Sequence, residues 1–277
     1  MLQQIEGSAA VAQAVAACRP EVIAAYPITP QTHIVEGLGD MVRRGLVGNC
    51  QFLNVESEFG AMSVCIGSSA TGARTYTATS SQGMLFMMEA VYNASGMGLP
   101  IVMTVGNRAI GPPINIWNDW SDSMAARDAA WIQLFVEDNQ QAADVHVQAF
   151  RLAEAVSLPV MVCMDGFILT HAYTRVDVPE QEQVDRFLPP LVMKHRVAQE
   201  PVLVGGLDFP RETEVHRGQH DEAIRRVPEV YAEAQDAFEE IFGRRPADPV
   251  VPYRMDDAEV VLVSMGTTAS TVRDVVD

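Results

Sequence analysis

Three apolar runs in the first half of the chain each end in a cluster of polar, turn-forming residues. Glu21-Val-Ile-Ala-Ala-Tyr26 runs into Pro27-Ile-Thr-Pro30, Arg74-Thr-Tyr-Thr-Ala-Thr79 into Ser80-Ser-Gln-Gly83, and Pro100-Ile-Val-Met-Thr-Val105 into Gly106-Asn-Arg108. Helix-forming segments separate them: the Ala-rich stretch Gly7 to Cys18, Gln31 to about Arg44, and Met84 to Tyr92. Parallel neighbours need a crossover of a dozen residues or more, usually helical, whereas antiparallel ones can be joined by a tight turn. The alternation therefore predicts a doubly wound, mostly parallel α/β sheet with helices on both faces. Its ligand groups should lie along the strand carboxyl ends.

The stretch Gln51-Phe-Leu-Asn-Val-Glu-Ser-Glu-Phe-Gly60 fits the same pattern, a short strand handing over at Glu56-Ser57-Glu58 to a helix of small residues up to Thr71. Glu58, between Phe59 and the small-residue helix, is expected to be poorly solvated. A buried carboxylate needs a partner or a raised pKa. An ordinary role is open to it too, as a helix-start acid complementing the macrodipole. Thr29 is presented at a strand end, and it also suits an N-cap before Pro30. Arg108 closes a third strand, where a surface ion pair is the plain alternative.

Further along, Pro112-Pro113 open a loop with two tryptophans among acidic and amide residues, Ile114 to Met124, which is expected to fold over a site or pack on a partner. Trp131–Val136 and Pro159–Met164 read as strands, with a helix from about Asn139 to Ala155 between them. Ser8 suits the N-cap of the first helix. Asp165-Gly166 resembles the first pair of a metal-binding Asp-Gly motif, but no Gly precedes it and no Asn follows at useful spacing. Val176–Pro190 reads as a proline-bounded linker or surface arm. Val202–Glu214 lacks periodicity. His220–Phe242 repeats apolar residues at helical spacing, with a kink or restart expected at Pro228. Asp257–Gly266 reads as a strand and Gly-turn opening a second α/β domain. One βα unit cannot close a core, so the 277 residues are expected to be part of a longer chain.

The formal charge of −17 argues against a nucleic-acid partner, and no apolar run is long enough to span a bilayer. Cysteines 18, 50, 65 and 163 form no C-x-x-C pair. They read as small core residues in a reducing, cytoplasmic compartment rather than as cluster or zinc ligands.

Taken together, Tyr26-Pro-Ile-Thr-Pro30, Glu56-Ser-Glu-Phe-Gly60, Thr79-Ser-Ser-Gln-Gly83 and Trp117-Asn-Asp-Trp-Ser-Asp-Ser123 resemble the alpha subunit of the 2-oxoacid:ferredoxin oxidoreductases of anaerobic metabolism. The likeness is strongest to the pyruvate and branched-chain branches. It runs from about residue 5 to 190 and resumes at Asp257. It implies a pyrimidine-binding-type thiamin diphosphate domain over residues 1–190, a linker and amphipathic arm over 191–256, and the first βα unit of a transketolase-C-like domain over 257–277.

The resemblance further implies oxidative decarboxylation of a 2-oxoacid, with coenzyme A, to an acyl-CoA, CO2 and reduced ferredoxin. Glu58 would hydrogen-bond the aminopyrimidine ring nitrogen, with Pro27, Ile28, Ser81 and Gln82 around the cofactor. Thr29 and Arg108 would grip the substrate carboxylate. The chain has no Gly-Asp-Gly with a downstream Asn and no cysteine cluster. A beta subunit would therefore hold the diphosphate and Mg2+, and partner subunits, a gamma and a ferredoxin-like delta among them, would complete the complex and its 4Fe-4S clusters. Pyruvate is the favoured substrate, ahead of 2-oxoisovalerate or an aryl 2-oxoacid such as phenylglyoxylate. A non-oxidative thiamin half-site and a non-catalytic scaffold are the competing readings.

Overall fold

The computed structural model describes residues 2–193, 196–197, 203–246 and 248–277. The chain begins with β1 (Leu2–Glu6), α1 (Gly7–Ala17), β2 (Val22–Ala25), α2 (Thr32–Arg43), β3 (Gln51–Asn54) and α3 (Glu58–Ala70). Next come β4 (Thr75–Thr79), α4 (Ser81–Phe86), α5 (Met88–Gly96), β5 (Val102–Asn107) and α6 (Ser121–Ala125). A 3-10 turn at Arg127–Ala129 leads to β6 (Ile132–Val136), α7 (Asn139–Val156), β7 (Val160–Asp165) and β8 (Tyr173–Asp177). The remaining helices are α8 (Gln181–Phe187), α9 (Pro210–Phe242) and α10 (Thr267–Val276).

Six strands form one sheet in the order β3-β2-β4-β5-β7-β6, every neighbouring pair parallel. Strands β4, β5 and β7 are buried along their whole length. A parallel strand covered on both faces has no solvent side, which is why Val160–Met164 reads as a continuous apolar run. One face packs against α1, α2, α7, α8 and α9, and the other against α3, α4 and α5. The doubly wound expectation holds, and the strand carboxyl ends carry Pro27–Pro30, Ser80–Gly83 and Arg108 as anticipated. No helix among the described residues is long and apolar enough to cross a membrane.

Several local expectations are corrected. Ser8 lies inside α1, and its hydroxyl donates to Thr170 O (2.7 Å) instead of capping. Thr29 caps nothing: α2 opens at Thr32 after Gln31. The expected helix Met84–Tyr92 is two helices, broken at Met87. Val176–Pro190 is no surface arm. It contains the last two residues of β8, which pairs antiparallel with β1, and all of α8, whose Val184 and Phe187 are fully buried.

The helix α9 runs unbroken through Pro228 and is buried only from Tyr231 onward. There Phe238 packs edge-on to Phe187 at 5.4 Å. Arg244, just beyond α9, donates to both Asp144 oxygens (2.8 and 2.7 Å), fixing the end of α9 to α7. In Val202–Glu214, Val202 lies outside the described residues, and α9 already begins at Pro210; Lys194, His195, Ala198–Val202 and Ala247 of the 191–256 arm also lie outside them. The expected strand at Asp257–Gly266 is irregular, with Val260 and Val263 86% and 89% exposed. Without a neighbouring strand its backbone groups have no ladder to join. Only the helical half of that unit, α10, is formed.

Arg74 joins the two ends of the domain's interior. Only 3% exposed, it donates from Nε and Nη2 to Glu154 (2.6 and 3.0 Å), from Nη1 to Cys18 O (2.7 Å) and from Nη2 to Pro189 O (2.8 Å). Burial still holds the Glu154 carboxyl above its ordinary range beside this cation. Removing the cation leaves a buried, unpaired carboxylate, so Arg74→Ala should cost about 3–5 kcal/mol in urea unfolding at neutral pH. A carboxyl whose pKa is higher in the folded than in the unfolded state contributes its stability in full below the unfolded pKa and loses it as pH rises through the folded one. The deficit should therefore shrink as pH falls through the carboxylate range. A pH-independent deficit would assign the loss to packing.

Candidate functional site

The site is built where three strand ends meet two helix starts. At the end of β3, Ser57 turns the chain and its hydroxyl accepts from Gly60 N (3.1 Å), opening α3 with Glu58 as its first residue. A helix N-terminus favours an anion there. Glu58 is nevertheless only 6% exposed, and among the described residues no side chain or backbone group pairs with its carboxylate.

The carboxylate lies against the start of α4. A Cβ built on Gly83 would stand 2.7 Å from Glu58 Oε1 and 2.5 Å from Thr79 Oγ1, so the cradle closes only around a glycine. Several polar atoms of this region are buried without a partner among the described residues: Thr79 Oγ1, Ser80 Oγ, Gln31 Oε1, Asn107 Oδ1 and Arg108 Nε. Buried polar atoms are normally satisfied, so this group of orphans at strand carboxyl ends marks a candidate ligand site.

Arg108 gathers the other groups. Its Nη1 donates to Thr29 O (2.6 Å) and its Nη2 to Gln82 Oε1 (3.0 Å). Ser81 Oγ sits between Gln82 Oε1 and Ala109 O, and its single proton can serve only one of them. Thr29 and Pro27 are exposed and Ile28 half-buried. The structure thus brings Thr29, Ser81, Gln82 and Arg108 together. It leaves Glu58 on the other flank of Gln82-Gly83, with no bond to Arg108 among the described residues. Burial lowers the Arg108 pKa, and Asp122 opposes that shift.

Asp122, fully buried, is the residue that the motifs alone did not single out. Its carboxylate accepts from Ser81 N (2.8 Å), Arg108 N (3.1 Å), Asn107 Nδ2 (2.8 Å) and Ser123 N (2.8 Å). Burial raises its pKa against the lowering effect of these four donors. The signal for it was the tryptophan-rich loop, which does fold back over the strand ends. Trp120 Nε1 donates to Asp165 Oδ1 (2.8 Å), and Trp117 packs on Phe167 at 5.1 Å. Asp165 also accepts from Thr267 N (2.8 Å) at the start of α10, so it serves as a structural acceptor. A groove of about 780 Å³ between α2 and the edge strand β3 shares Pro27 with the site but is lined by neither Glu58 nor Arg108.

The four cysteines are free and buried. Burial pushes the Cys65 thiol up to about 12 and the Cys50 thiol up to about 11. Such thiols are poor metal ligands or nucleophiles.

Residues 13–236 match the family model described as pyruvate flavodoxin/ferredoxin oxidoreductase, thiamine diphosphate-binding. The chain is 50% identical over 277 residues to pyruvate synthase subunit PorA of Methanosarcina barkeri, spanning 99% of this chain and 69% of that one. It is 41% identical over 275 residues to ketoisovalerate oxidoreductase subunit VorA of Pyrococcus abyssi, again 99% and 69% of the two chains. Among solved structures, a 2-oxoglutarate:ferredoxin oxidoreductase from Magnetococcus marinus superposes with a TM-score of 0.69 at 21% identity. That match covers 82% of this chain and 45% of the other, and it speaks for the fold. The chain belongs to the pyruvate flavodoxin/ferredoxin oxidoreductase family, within its thiamin-diphosphate-binding domain.

Proposed function

We propose that this chain is the alpha subunit of a 2-oxoacid:ferredoxin oxidoreductase acting on pyruvate, and that it contributes the aminopyrimidine side of a shared thiamin diphosphate site. The observation that carries the proposal is Glu58: a buried carboxylate at a helix N-terminus, without a partner among the described residues and in contact with a glycine cradle. A ring N–H approaching the side of the carboxylate away from Gly83 would give it a charge-assisted hydrogen bond. Thiamin diphosphate, when bound, supplies the carbon acid and the electron sink that a 2-oxoacid needs in order to lose CO2. Glu58 would hold a proton at the ring nitrogen, with Pro27, Ile28, Ser81 and Gln82 walling the ring.

Arg108 directs two donors to Thr29 O and Gln82 Oε1, and its buried Nε has no partner among the described residues. A substrate carboxylate is the natural acceptor for the free donors of a guanidinium. Thr29 would add its hydroxyl from the same turn. The PorA relatives favour pyruvate, and the VorA relative keeps 2-oxoisovalerate as the second substrate to test. Coenzyme A would be the acyl acceptor. A beta subunit would bring the diphosphate and Mg2+ site, gamma and ferredoxin-like delta subunits would complete the complex with its 4Fe-4S clusters, and ferredoxin would take the electrons. Turnover of the assembled complex on a panel of 2-oxoacids tests the substrate assignment.

Purified alone, the chain should neither bind thiamin diphosphate tightly nor oxidise any 2-oxoacid. Cluster absorbance or CoA-dependent turnover from the isolated chain would end the half-site reading. In the assembled complex, Glu58→Gln should keep the fold and lose about 10²–10⁴-fold in activity, the usual contribution of a proton-handling group. Exchange of the cofactor's C2 proton at the wild-type rate would reduce Glu58 to a helix-start residue.

Arg108→Ala should cost roughly 2–5 kcal/mol of carboxylate binding, which is on the order of 30- to several-thousand-fold in kcat/KM. Arg108→Lys should recover part of this, because it restores charge without the two-pronged geometry. Label exchange between acyl-CoA and CoA involves no carboxylate and should suffer far less. Equal loss in both assays would make Arg108 a support for the Thr29 turn only.

A further inference from the structure

Away from Glu58 and Arg108, a second group of polar side chains converges from three elements. Glu6 ends β1, His33 lies in the first turn of α2, and His171 follows the turn after β7. One ligand atom from each lies within 4.8 Å of the other two. His33 Nδ1 and Glu6 Oε1 are 2.7 Å apart, and the His33 and His171 rings are 4.9 Å between centroids. Among the described residues no Lys or Arg pairs with Glu6, whose side chain is only 15% exposed.

Two of the three donors stand on a fixed scaffold. Gly7 N donates to Ala172 O (3.1 Å), Ser8 N to Thr170 O (3.0 Å) and Ser8 Oγ to the same oxygen (2.7 Å), so the chain just after Glu6 is bonded to both neighbours of His171. A Cβ on Gly7 would stand 2.0 Å from Leu169 O, so the approach is as close as backbone allows. The His171 ring is set on both sides, by Phe167 stacked at 5.2 Å and 25° and by Thr170 Oγ1 at 2.7 Å from Nδ1. Thr170 Oγ1 is itself fixed by the N–H of Phe167 (2.9 Å). An imidazole held through one ring nitrogen, leaving the other to a ligand, is the usual arrangement around a protein-bound transition metal. The third donor, His33, is nearly half exposed and free to adjust.

The geometry points to a binding site for one divalent transition-metal ion of the zinc class, held by Glu6, His33 and His171. Two imidazoles and a carboxylate suit zinc and its neighbours, whereas Mg2+ and Ca2+ want oxygen alone. Zinc–ligand distances of about 2.0–2.2 Å place ligand atoms about 3.3 Å apart in a tetrahedral shell. Closing the group onto an ion needs His33 to move away from Glu6 slightly and toward His171, well within the reach of a surface side chain. Three protein ligands leave one position for water. The ion would bind the start of α2, and with it the Thr29-Pro30 turn, to β1 and to the turn after β7. It is separate from the Mg2+ expected with the diphosphate.

The test is calorimetric titration of the full chain, stripped with chelator and dialysed, with Zn2+ and separately with Mg2+. One Zn2+ per chain is expected, with Mg2+ far weaker, and with Zn2+ affinity reduced by at least about tenfold in each of Glu6→Gln, His33→Gln and His171→Gln. Zn2+ should raise the melting temperature of the wild-type chain and not of the variants. Melting in chelator shows whether a variant is folded. His33→Gln, at the surface, is the one chosen to fold normally even if His171→Gln does not. Absence of Zn2+ binding by the wild-type chain, or undiminished binding by folded His33→Gln, would overturn the assignment.

Discussion

The carboxylate of Asp122 holds the strand-end region in its shape. Four donors converge on it from the start of α4, the end of β5 and the start of α6. One of them, the N–H of Ser81, belongs to a residue at φ 50°, a left-handed conformation that costs a non-glycine residue about 1 kcal/mol or more. A charge-assisted hydrogen bond of about 1.5–3 kcal/mol is enough to hold it there. The same carboxylate fixes the backbone of Arg108, whose side chain then reaches Thr29 and Gln82. Three strand ends are thereby set relative to one another by a group that touches none of the outward-facing donors itself.

That division explains what can be read from the chain and what cannot. Glu58, Thr29 and Arg108 are legible because strand-to-helix handovers are local events, marked by Ser57, Pro30 and the Gly106-Asn107 pair. Asp122 is invisible as a hub, since which N–H groups meet at a carboxylate is decided by the fold. The pairing of β1 with β8 joins the two ends of the domain, and neither segment alternates strongly enough to announce a partner so far along the chain. Local propensity misleads in the opposite direction at Glu259-Val-Val-Leu-Val263. Its β-branched residues suggest a strand, but a strand is stable only with a neighbour. Proline at 228 suggests a kink in α9. The helix continues through it, and its firm packing begins three residues later at Tyr231.

The borders of the site carry their own message. Tyr26, Leu53, Phe59, Leu85 and Phe86, on the strands and helices that flank Glu58, are 38–60% exposed. Large apolar side chains grouped at the surface mark an interaction face. The curated relatives are named as subunits, and packing against another chain would give those residues a reason to be apolar.

Glu58 closes the argument from energetics. Burying an unpaired polar group costs about 1–3 kcal/mol on protein mutational scales, and Glu58 is only 6% exposed. The α3 dipole returns only about 0.3–1 kcal/mol, or up to about 2 in a partly buried geometry. A hydrogen-bond donor from a bound molecule would add to this favourable contribution. A structural helix-start residue gains nothing from such placement, because the same dipole is served equally well by an acid pointing into solvent. The placement of Glu58 is the one that the proposed cofactor contact would use.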